Sequence, residues 1–229
     1  MSTQVQNMFA RIAGRYDRGN DILSMGIHHA WRRRTVRESI AAEGMSVLDC
    51  ATGTGDLAIE FKRRVGATGS VIGTDFCREM LDFAPGKARA QKLDVRFEIA
   101  DAMDLQYKDN SFDIASIAFG IRNVDSAEQC LRELARVVRP GGQVVVLEFG
   151  QPHGWFRFPY AAYSKLILPF LGRIVSGDRD AYEYLHDTSS RFPCREDFLA
   201  MMDGTGAYAS SRWVELSFGI AYIYFGTVR

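Results

Sequence analysis

No stretch of this 229-residue chain stays apolar for the roughly 18 residues that a membrane-spanning helix needs. Cysteine is sparse: Cys50, Cys77, Cys130 and Cys194 stand far apart, with no Cys-x-x-Cys pair and no Cys/His cluster. That spacing argues against a structural zinc and against a disulfide framework. Reduced thiols in a cytosolic protein are expected instead. An excess of one charge is also missing, because 28 Lys+Arg balance 28 Asp+Glu. No global basic field therefore points to nucleic acid. The local exception, Arg32-Arg33-Arg34 followed by Arg37, reads as a solvated helix face. Residues 1–7 lack the charged start and apolar centre of a signal peptide, which predicts a cytoplasmic location. Repeats and low-complexity segments are absent.

What is present is ordinary for a globular protein, with 47% hydrophobic and 24% charged residues. The length suits a single domain over 1–229 carrying an inserted lid. A helix is predicted over 3–17, a polar loop at Asp17-Arg18-Gly19-Asn20-Asp21, and a second helix near 27–42. Strands are predicted at 45–50, 70–75, 94–99, 112–118 and 142–149, alternating with helices at 55–64, 77–90 and 126–138. This alternation is that of an α/β fold, a parallel sheet with helices on both faces. Arg139-Pro140-Gly141-Gly142 should end the last of these helices, and Pro85-Gly86 should kink or split the helix over 77–90. After residue 195 a helix and two strands are expected, near 212–217 and 219–226, joined as a hairpin through Ser217-Phe218-Gly219.

Within this pattern the segment Asp49-Cys50-Ala51-Thr52-Gly53-Thr54-Gly55-Asp56 reads as a strand end, a glycine turn and a helix start, with Asp75 closing the next strand. Such a unit binds a nucleoside: glycines let the ligand approach the backbone, and the terminal acid can accept from both ribose hydroxyls. Two ligands fit. Gly53-x-Gly55-x-x-Ala58 satisfies the dinucleotide fingerprint. S-adenosylmethionine fits the same turn, and Asp49 favours it, since a carboxylate repels a pyrophosphate but attracts an amino group and a sulfonium. Asp49 read simply as the cap of the following turn is the alternative.

The chain resembles the ubiquinone/menaquinone biosynthesis C-methyltransferase family over nearly its whole length. Phe119-Gly120-Ile121-Arg122-Asn123-Val124 carries the resemblance most specifically. Phe9-x-x-Ile12-Ala13-x-x-Tyr16-Asp17, His29-x-Trp31-Arg32-Arg33, and Arg136-Val137-Val138-Arg139-Pro140-Gly141-Gly142 running into Leu147-Glu148-Phe149 add to it. So do Tyr163, Leu168-Pro169, Gly172 and Ala181-Tyr182-x-Tyr184-Leu185. Three features depart from the family: Tyr224 where a histidine is usual, Gly206-Ala207 in place of Gly-Phe, and Pro85-Gly86 inside a helix that is normally regular. The resemblance implies a class I methyltransferase, a Rossmann-like sheet of seven strands with an N-terminal helical cap over 1–42 and an apolar insert over 150–190, methylating a polyprenylated quinol.

On this reading Asp49, Gly53, Thr54 and Gly55 lie beside the methionine portion of S-adenosylmethionine, and Asp75 holds the ribose. Phe76 stacks on the adenine, Asp101-Ala102 reads its amino group, and Ala118 with Phe119 lines the floor near the methyl. Asp101 as a turn or cap residue is the alternative. C-methylation needs a deprotonated ring hydroxyl, so that charge reaches the attacking carbon. Arg122, too basic to accept a proton, would stabilise the phenolate. Asn123 would orient the quinol oxygen or a water, and Tyr16 would close over the site. A purely structural Arg122, paired with Asp17 or Asp125, stands against this. His153, His186 and Glu148 are candidate bases, each with a packing alternative.

Residues 154–175 gather Trp155, Phe156, Phe158, Tyr160, Tyr163 and further apolar side chains, with Arg157, Lys165 and Arg173 interspersed. The segment suits an isoprenoid tunnel, the inner face of the cell membrane, or a lid at a homodimer contact. A dinucleotide-dependent reductase is the competing enzyme class, although no Tyr-x-x-x-Lys element is suitably placed. A non-catalytic S-adenosylmethionine-binding subunit is a further reading. Lack of an organelle-targeting segment leans the substrate toward demethylmenaquinol over a ubiquinone-pathway benzoquinol.

Overall fold

Val47-Leu48 and Val144-Val145-Val146-Leu147 show no polar alternation, the pattern of strands covered on both faces, and all six are fully buried. The structure, a computed structural model, describes residues 3–163, 184 and 188–229. Its strands are β1 (Ser46–Cys50), β2 (Ser70–Asp75), β3 (Arg96–Ile99), β4 (Phe112–Ala118), β5 (Val138–Phe149), β6 (Tyr208–Leu216) and β7 (Ala221–Val228). They form one seven-stranded sheet in the order β3-β2-β1-β4-β5-β7-β6. β1 to β5 pair in parallel, while β7 runs antiparallel to both β5 and β6. The expected hairpin is present: Leu216 faces Ala221 across a turn at Ser217–Gly219.

Helices cover both faces. On one, α3 (Ile27–Glu38) and α4 (Asp56–Val65) bury Trp31, Val36, Leu57, Phe61 and Val65 against Val47, Val145 and Leu147. On the other, α7 (Ala127–Val137) and α9 (Glu196–Gly204) bury Leu131, Leu134, Phe198 and Met202 against Leu48, Val144 and Val146. The buried positions of α7 recur at helical spacing, and its Ser126 cap accepts from Gln129 N.

Several boundaries differ from expectation. The first predicted helix is α1 (Thr3–Ile12), which passes through a short 3-10 turn at Ala13–Arg15. The predicted polar loop is instead α2 (Tyr16–Ser24), ending where Met25 and Gly26 take left-handed conformations. Its polar residues look loop-like in sequence, yet Asp17 and Asp21 are held by partners on other helices. α3 stops at Glu38, short of residue 42. The helix after Asp75 is split into α5 (Arg78–Leu81) and α6 (Ala84–Ala90), with Pro85 in the first turn of the second. Pro140-Gly141-Gly142 falls inside β5 as an irregularity rather than before it. There a Cβ on Gly142 would lie 2.6 Å from the Asp113 carbonyl oxygen, so only glycine permits the approach. α8 (Arg157–Ala162) opens the apolar insert. Most of the insert over 150–190, including Leu168-Pro169, Gly172, Ala181-Tyr182, Leu185 and His186, lies outside the described residues.

Leu131→Ala should cost about 2–5 kcal/mol, the range for emptying a packed leucine site. Chemical denaturation measures this, and an unchanged midpoint would mean that α7 does not seal the sheet.

Candidate active site

The parallel strands end on one edge of the sheet, and the chain departs from regular conformation at each of those ends. After β1, Ala51 (φ 48°), Gly53 (φ 57°) and Gly55 (φ 88°) all take positive φ. Gly55 caps α4, and a Cβ there would lie 3.0 Å from Ala84 and 3.1 Å from Phe97. The turn is braced by two buried carboxylates. Asp75 Oδ2 accepts from Gly53 N at 2.7 Å, and Oδ1 accepts from Cys77 N at 2.8 Å. Asp49 accepts from Thr52 Oγ1 at 2.7 Å and from Ser116 Oγ at 2.6 Å. Burial raises the pKa of both acids, that of Asp49 to about 6. Asp49 is fully buried, so in this geometry it shapes the turn and ties it to β4.

Phe76 is half-buried behind Asp75, and its carbonyl accepts from Gln6 Nε2 on α1 at 3.4 Å. Asp101 and Ala102 follow β3 and are partly exposed, with Asp101 Oδ1 accepting from Met103 N at 2.9 Å. That bond makes Asp101 a turn residue at the strand end. Tyr16 packs with Phe9, Ala13, Cys77 and Met80, on the β2 side of the glycine turn. It borders the glycine turn, through Met80, rather than the β4 tip.

At the end of β4, Ala118 is half-buried and Phe119 takes a left-handed conformation (φ 55°), a strained state for an aromatic residue. A Cβ on Gly120 would come within 2.5 Å of Ala51 Cβ, so the β4 and β1 ends meet only because residue 120 is glycine. The Phe119 carbonyl accepts from Arg122 Nη1 at 2.7 Å and from Asn123 Nδ2 at 3.3 Å. Arg122 Nη1 also donates to Glu148 Oε1 on β5 at 2.6 Å, and its guanidinium lies 5.2 Å from the Phe149 ring centre. Both partners are buried, Glu148 completely. Burial raises the Glu148 pKa, while Arg122 and the Phe149 amide oppose that rise. Asn123 Oδ1 accepts from Tyr184 O–H at 3.0 Å. Arg122, Asn123, Glu148 and the half-buried Tyr184 thus form one cluster, and Arg122 pairs with Glu148.

Asp17, the partner considered for Arg122, is engaged elsewhere. Its carboxylate accepts from Thr54 Oγ1 at 2.6 Å and from Lys87 Nζ at 2.7 Å. Lys87 also donates to Asp56 Oδ1, and Arg32 lies 3.9 Å from the other Asp56 oxygen. Arg32 is buried and sits over the Phe119 ring, contrary to the solvated face expected of the arginine run. Arg33 is exposed as expected. This network fastens α2 and α3 to the glycine turn and lines a cavity of about 380 Å³. Its long-range pairing left no mark in local sequence beyond Asp17 and Arg32 standing in family motifs.

The same cavity holds Asp21, His28 and His29, whose ligand atoms lie within 4.8 Å of one another. Arg32 donates to His28 Nδ1, which fixes the His28 proton on Nε2 as a donor to Asp21. Burial and Arg32 both lower the His28 pKa. The trio therefore reads as a hydrogen-bonded hub of the cap. His153 pairs at the surface with Glu215 at 2.7 Å. Tyr224 is buried, accepts from Arg195 N at 2.8 Å and lies against Phe198, so it braces the entry to α9.

Asp49 carries a pH prediction. Its pKa is higher in the folded chain than in the unfolded one, so its contribution is full below the ordinary 3.8 and lost as pH rises through about 6. That interval corresponds to about 3 kcal/mol. Relative to Asp49→Asn, the native chain should lose about 2 kcal/mol of this between pH 4 and 6.5. Parallel pH-dependent melts of the two proteins would refute the assignment.

Comparison with known proteins places the chain among methyltransferases by sequence and by fold. The family model described as "ubiE/COQ5 methyltransferase family" matches residues 1–228. A relative from Bdellovibrio bacteriovorus, named ubiquinone/menaquinone biosynthesis C-methyltransferase UbiE, is 58% identical over 98% of this chain and 96% of its own. A demethylmenaquinone methyltransferase from Deinococcus radiodurans is 45% identical over 98% of this chain and 92% of its own. Among solved structures, a SAM-dependent methyltransferase from Thermotoga maritima superposes with a TM-score of 0.68 at 20% identity, covering 97% of this chain and 99% of that one. The [4+2]-cyclase SpnF gives the same TM-score of 0.68 at 21% identity, covering 95% of this chain and 76% of that one. These structural likenesses establish the fold, while the activity is argued from the site. With the family model spanning nearly every residue, the chain belongs to the ubiE/COQ5 methyltransferase family.

Proposed function

We propose that this chain methylates a ring carbon of a polyprenylated quinol, demethylmenaquinol by preference, with S-adenosylmethionine as methyl donor. The observation that carries the reading is the buried Arg122–Glu148 pair with Asn123 at the ends of β4 and β5, beside a glycine turn ringed by carboxylates. Asp17, Asp49, Asp56 and Asp75 surround that turn, against Arg32 and Lys87. A net acidic surround fits a cationic ligand and disfavours the pyrophosphate of a dinucleotide. Bound there, S-adenosylmethionine supplies an electrophilic methyl group. Gly53, Thr54 and Gly55 would hold its amino-acid end with Asp49 beneath them, and Asp75 its ribose. Phe76, Asp101 and Ala102 would flank the adenine, with Tyr16 closing that side and Ala118 flooring the methyl position.

The chain's own work at the reacting end is electrostatic. Arg122 would stabilise the quinol oxygen as it becomes negative, in a site that excludes water. Asn123, held by Tyr184, would orient that oxygen. Residues 1–42 would serve as the cap and 150–190 as the substrate side of one domain. The names of the Deinococcus and Bdellovibrio relatives support a quinone-pathway substrate.

Among the described residues no helix is long and apolar enough to cross a membrane. We propose peripheral contact instead. Trp155, Phe158 and Phe218 are exposed by 72%, 66% and 58%. Trp155 lies beside Phe218, and Arg157 lies over Phe158. Exposed aromatics with a nearby cation suit the headgroup boundary of a bilayer. Anionic vesicles should retain the protein at low salt and release it at high salt. Failure to sediment with them at low salt removes the membrane contact, and concentration-dependent dimer mass would assign the patch to a second copy.

Transfer of labelled methyl from S-adenosylmethionine to reduced demethylmenaquinone in detergent tests the main reading, with a demethylated benzoquinol in parallel. Label should enter the naphthoquinol faster. Label in neither lipid, despite cofactor binding, would overturn the reading. Arg122→Ala should lower turnover by about 10²-fold or more. Cofactor affinity should hold within about twofold below the melting temperature, since its target is the developing charge.

A further inference from the structure

The proposed reaction needs a proton acceptor, and Arg122 cannot supply one. We infer that Glu148 is the base, taking the quinol hydroxyl proton while Arg122 receives the oxyanion that forms; the inference rests on the quinol reading above. Other acids at the strand ends already hold donors: Asp49 the Thr52 and Ser116 hydroxyls, Asp75 the Gly53 and Cys77 amides. His153 is spent on a surface pair with Glu215.

Glu148 differs. Its Oε1 accepts from Arg122 Nη1 at 2.6 Å and from Phe149 N at 2.8 Å, yet its buried Oε2 has no partner among the described residues. The buried Nε of Arg122 is unpartnered in the same way. Buried polar atoms are nearly always hydrogen-bonded, so an acceptor and a donor left open on one ion pair mark a place for a ligand. A phenolic hydroxyl carries the complement of each, an O–H to give to Oε2 and lone pairs to receive an Arg122 N–H.

The step balances within the cluster. The quinol O–H bond breaks, its electron pair stays on oxygen, and the proton bonds to Oε2. Glu148 becomes neutral, and the Arg122 cation passes from the carboxylate to the phenolate. The buried site keeps the same net charge throughout, so no isolated charge is created in a dry environment. As the new C–C bond forms the S–CH3 bond breaks. The methylated carbon then gives up its hydrogen as the ring re-aromatises while the quinol oxygen regains a proton, so the Glu148 proton that leaves to water is the one released per methyl transferred.

The groups facing Glu148 are Arg122 from the turn after β4, Tyr222 and Tyr224 from β7, and Tyr184 beyond Asn123. Burial raises the pKa of all three tyrosines, that of Tyr222 to about 12, so none supplies an acid limb. Glu148 must be ionised to act, so kcat should fall as pH drops through its pKa, which burial places above the ordinary 4.5.

The test uses full-length protein with reduced demethylmenaquinone. Glu148→Gln should lower kcat by about 100-fold or more and flatten the acid limb. Cofactor affinity should stay within about twofold. A ring-halogenated quinol, whose hydroxyl ionises without help, should restore much of the lost rate. Turnover within about threefold of wild type, or an unchanged acid limb, overturns the assignment. If circular dichroism shows Glu148→Gln unfolded, wild-type rates over quinols of graded acidity decide. An acid limb that stays fixed supports Glu148, and one that tracks substrate acidity overturns it. Absence of label from every quinol with wild-type enzyme would instead sink the quinol reading, and this inference with it.

Discussion

Gly53 N donates to Asp75 Oδ2 at 2.7 Å, and Asp49, one strand over, receives the hydroxyls of Thr52 and Ser116. These bonds join the ends of β1, β2 and β4 around a turn whose backbone takes positive φ at Ala51, Gly53 and Gly55. Charged acceptors make the stronger kind of hydrogen bond, and at full burial they are screened little by solvent. The turn is thereby shaped before any ligand arrives, and the cost is two carboxylates whose burial penalises their charged form. The N-terminal helices, α6 and the β4 loop are all placed by reference to this frame.

Two charge networks of different character hang on it. Asp17, Lys87, Asp56, Arg32 and Thr54 fasten the cap helices to the turn through partly exposed pairs. Pairs of that kind contribute modestly to stability and are screened by salt. The Arg122–Glu148 pair is its opposite. With side chains 5% and 0% exposed, it carries a desolvation penalty that a well-packed apolar pair would avoid. Its placement at the end of two central strands, on a strained Phe119, fits a chemical role better than a stabilising one.

Two of the three departures from family pattern are absorbed by packing. Tyr224 fills a buried position and holds the Arg195 amide, and Pro85 starts a new short helix. Tyr224 faces Glu148 from β7, whereas Pro85 opens α6, which meets the glycine turn through Ala84 and Lys87. A solved cyclase with the same TM-score as a methyltransferase shows how little the fold alone says about chemistry.

Local pattern was enough for the central strands β1, β4 and β5, because a parallel strand buried on both faces must be a continuous apolar run. It was enough for the glycine turn too, since positive φ and close approach demand glycine wherever the chain is read. The family motifs marked Arg122, Asn123 and Tyr16 without saying what they touch. Only the tertiary structure decided that Asp17-Arg18-Gly19-Asn20-Asp21 is helical, that Arg32 is buried, that Tyr16 lies on the β2 side, and that Arg122 turns to Glu148, 26 residues away. Each of those outcomes depends on partners distant in sequence. Periodicity records which face of an element is apolar, whereas the pairing of charges is set by which strand ends the sheet order brings together.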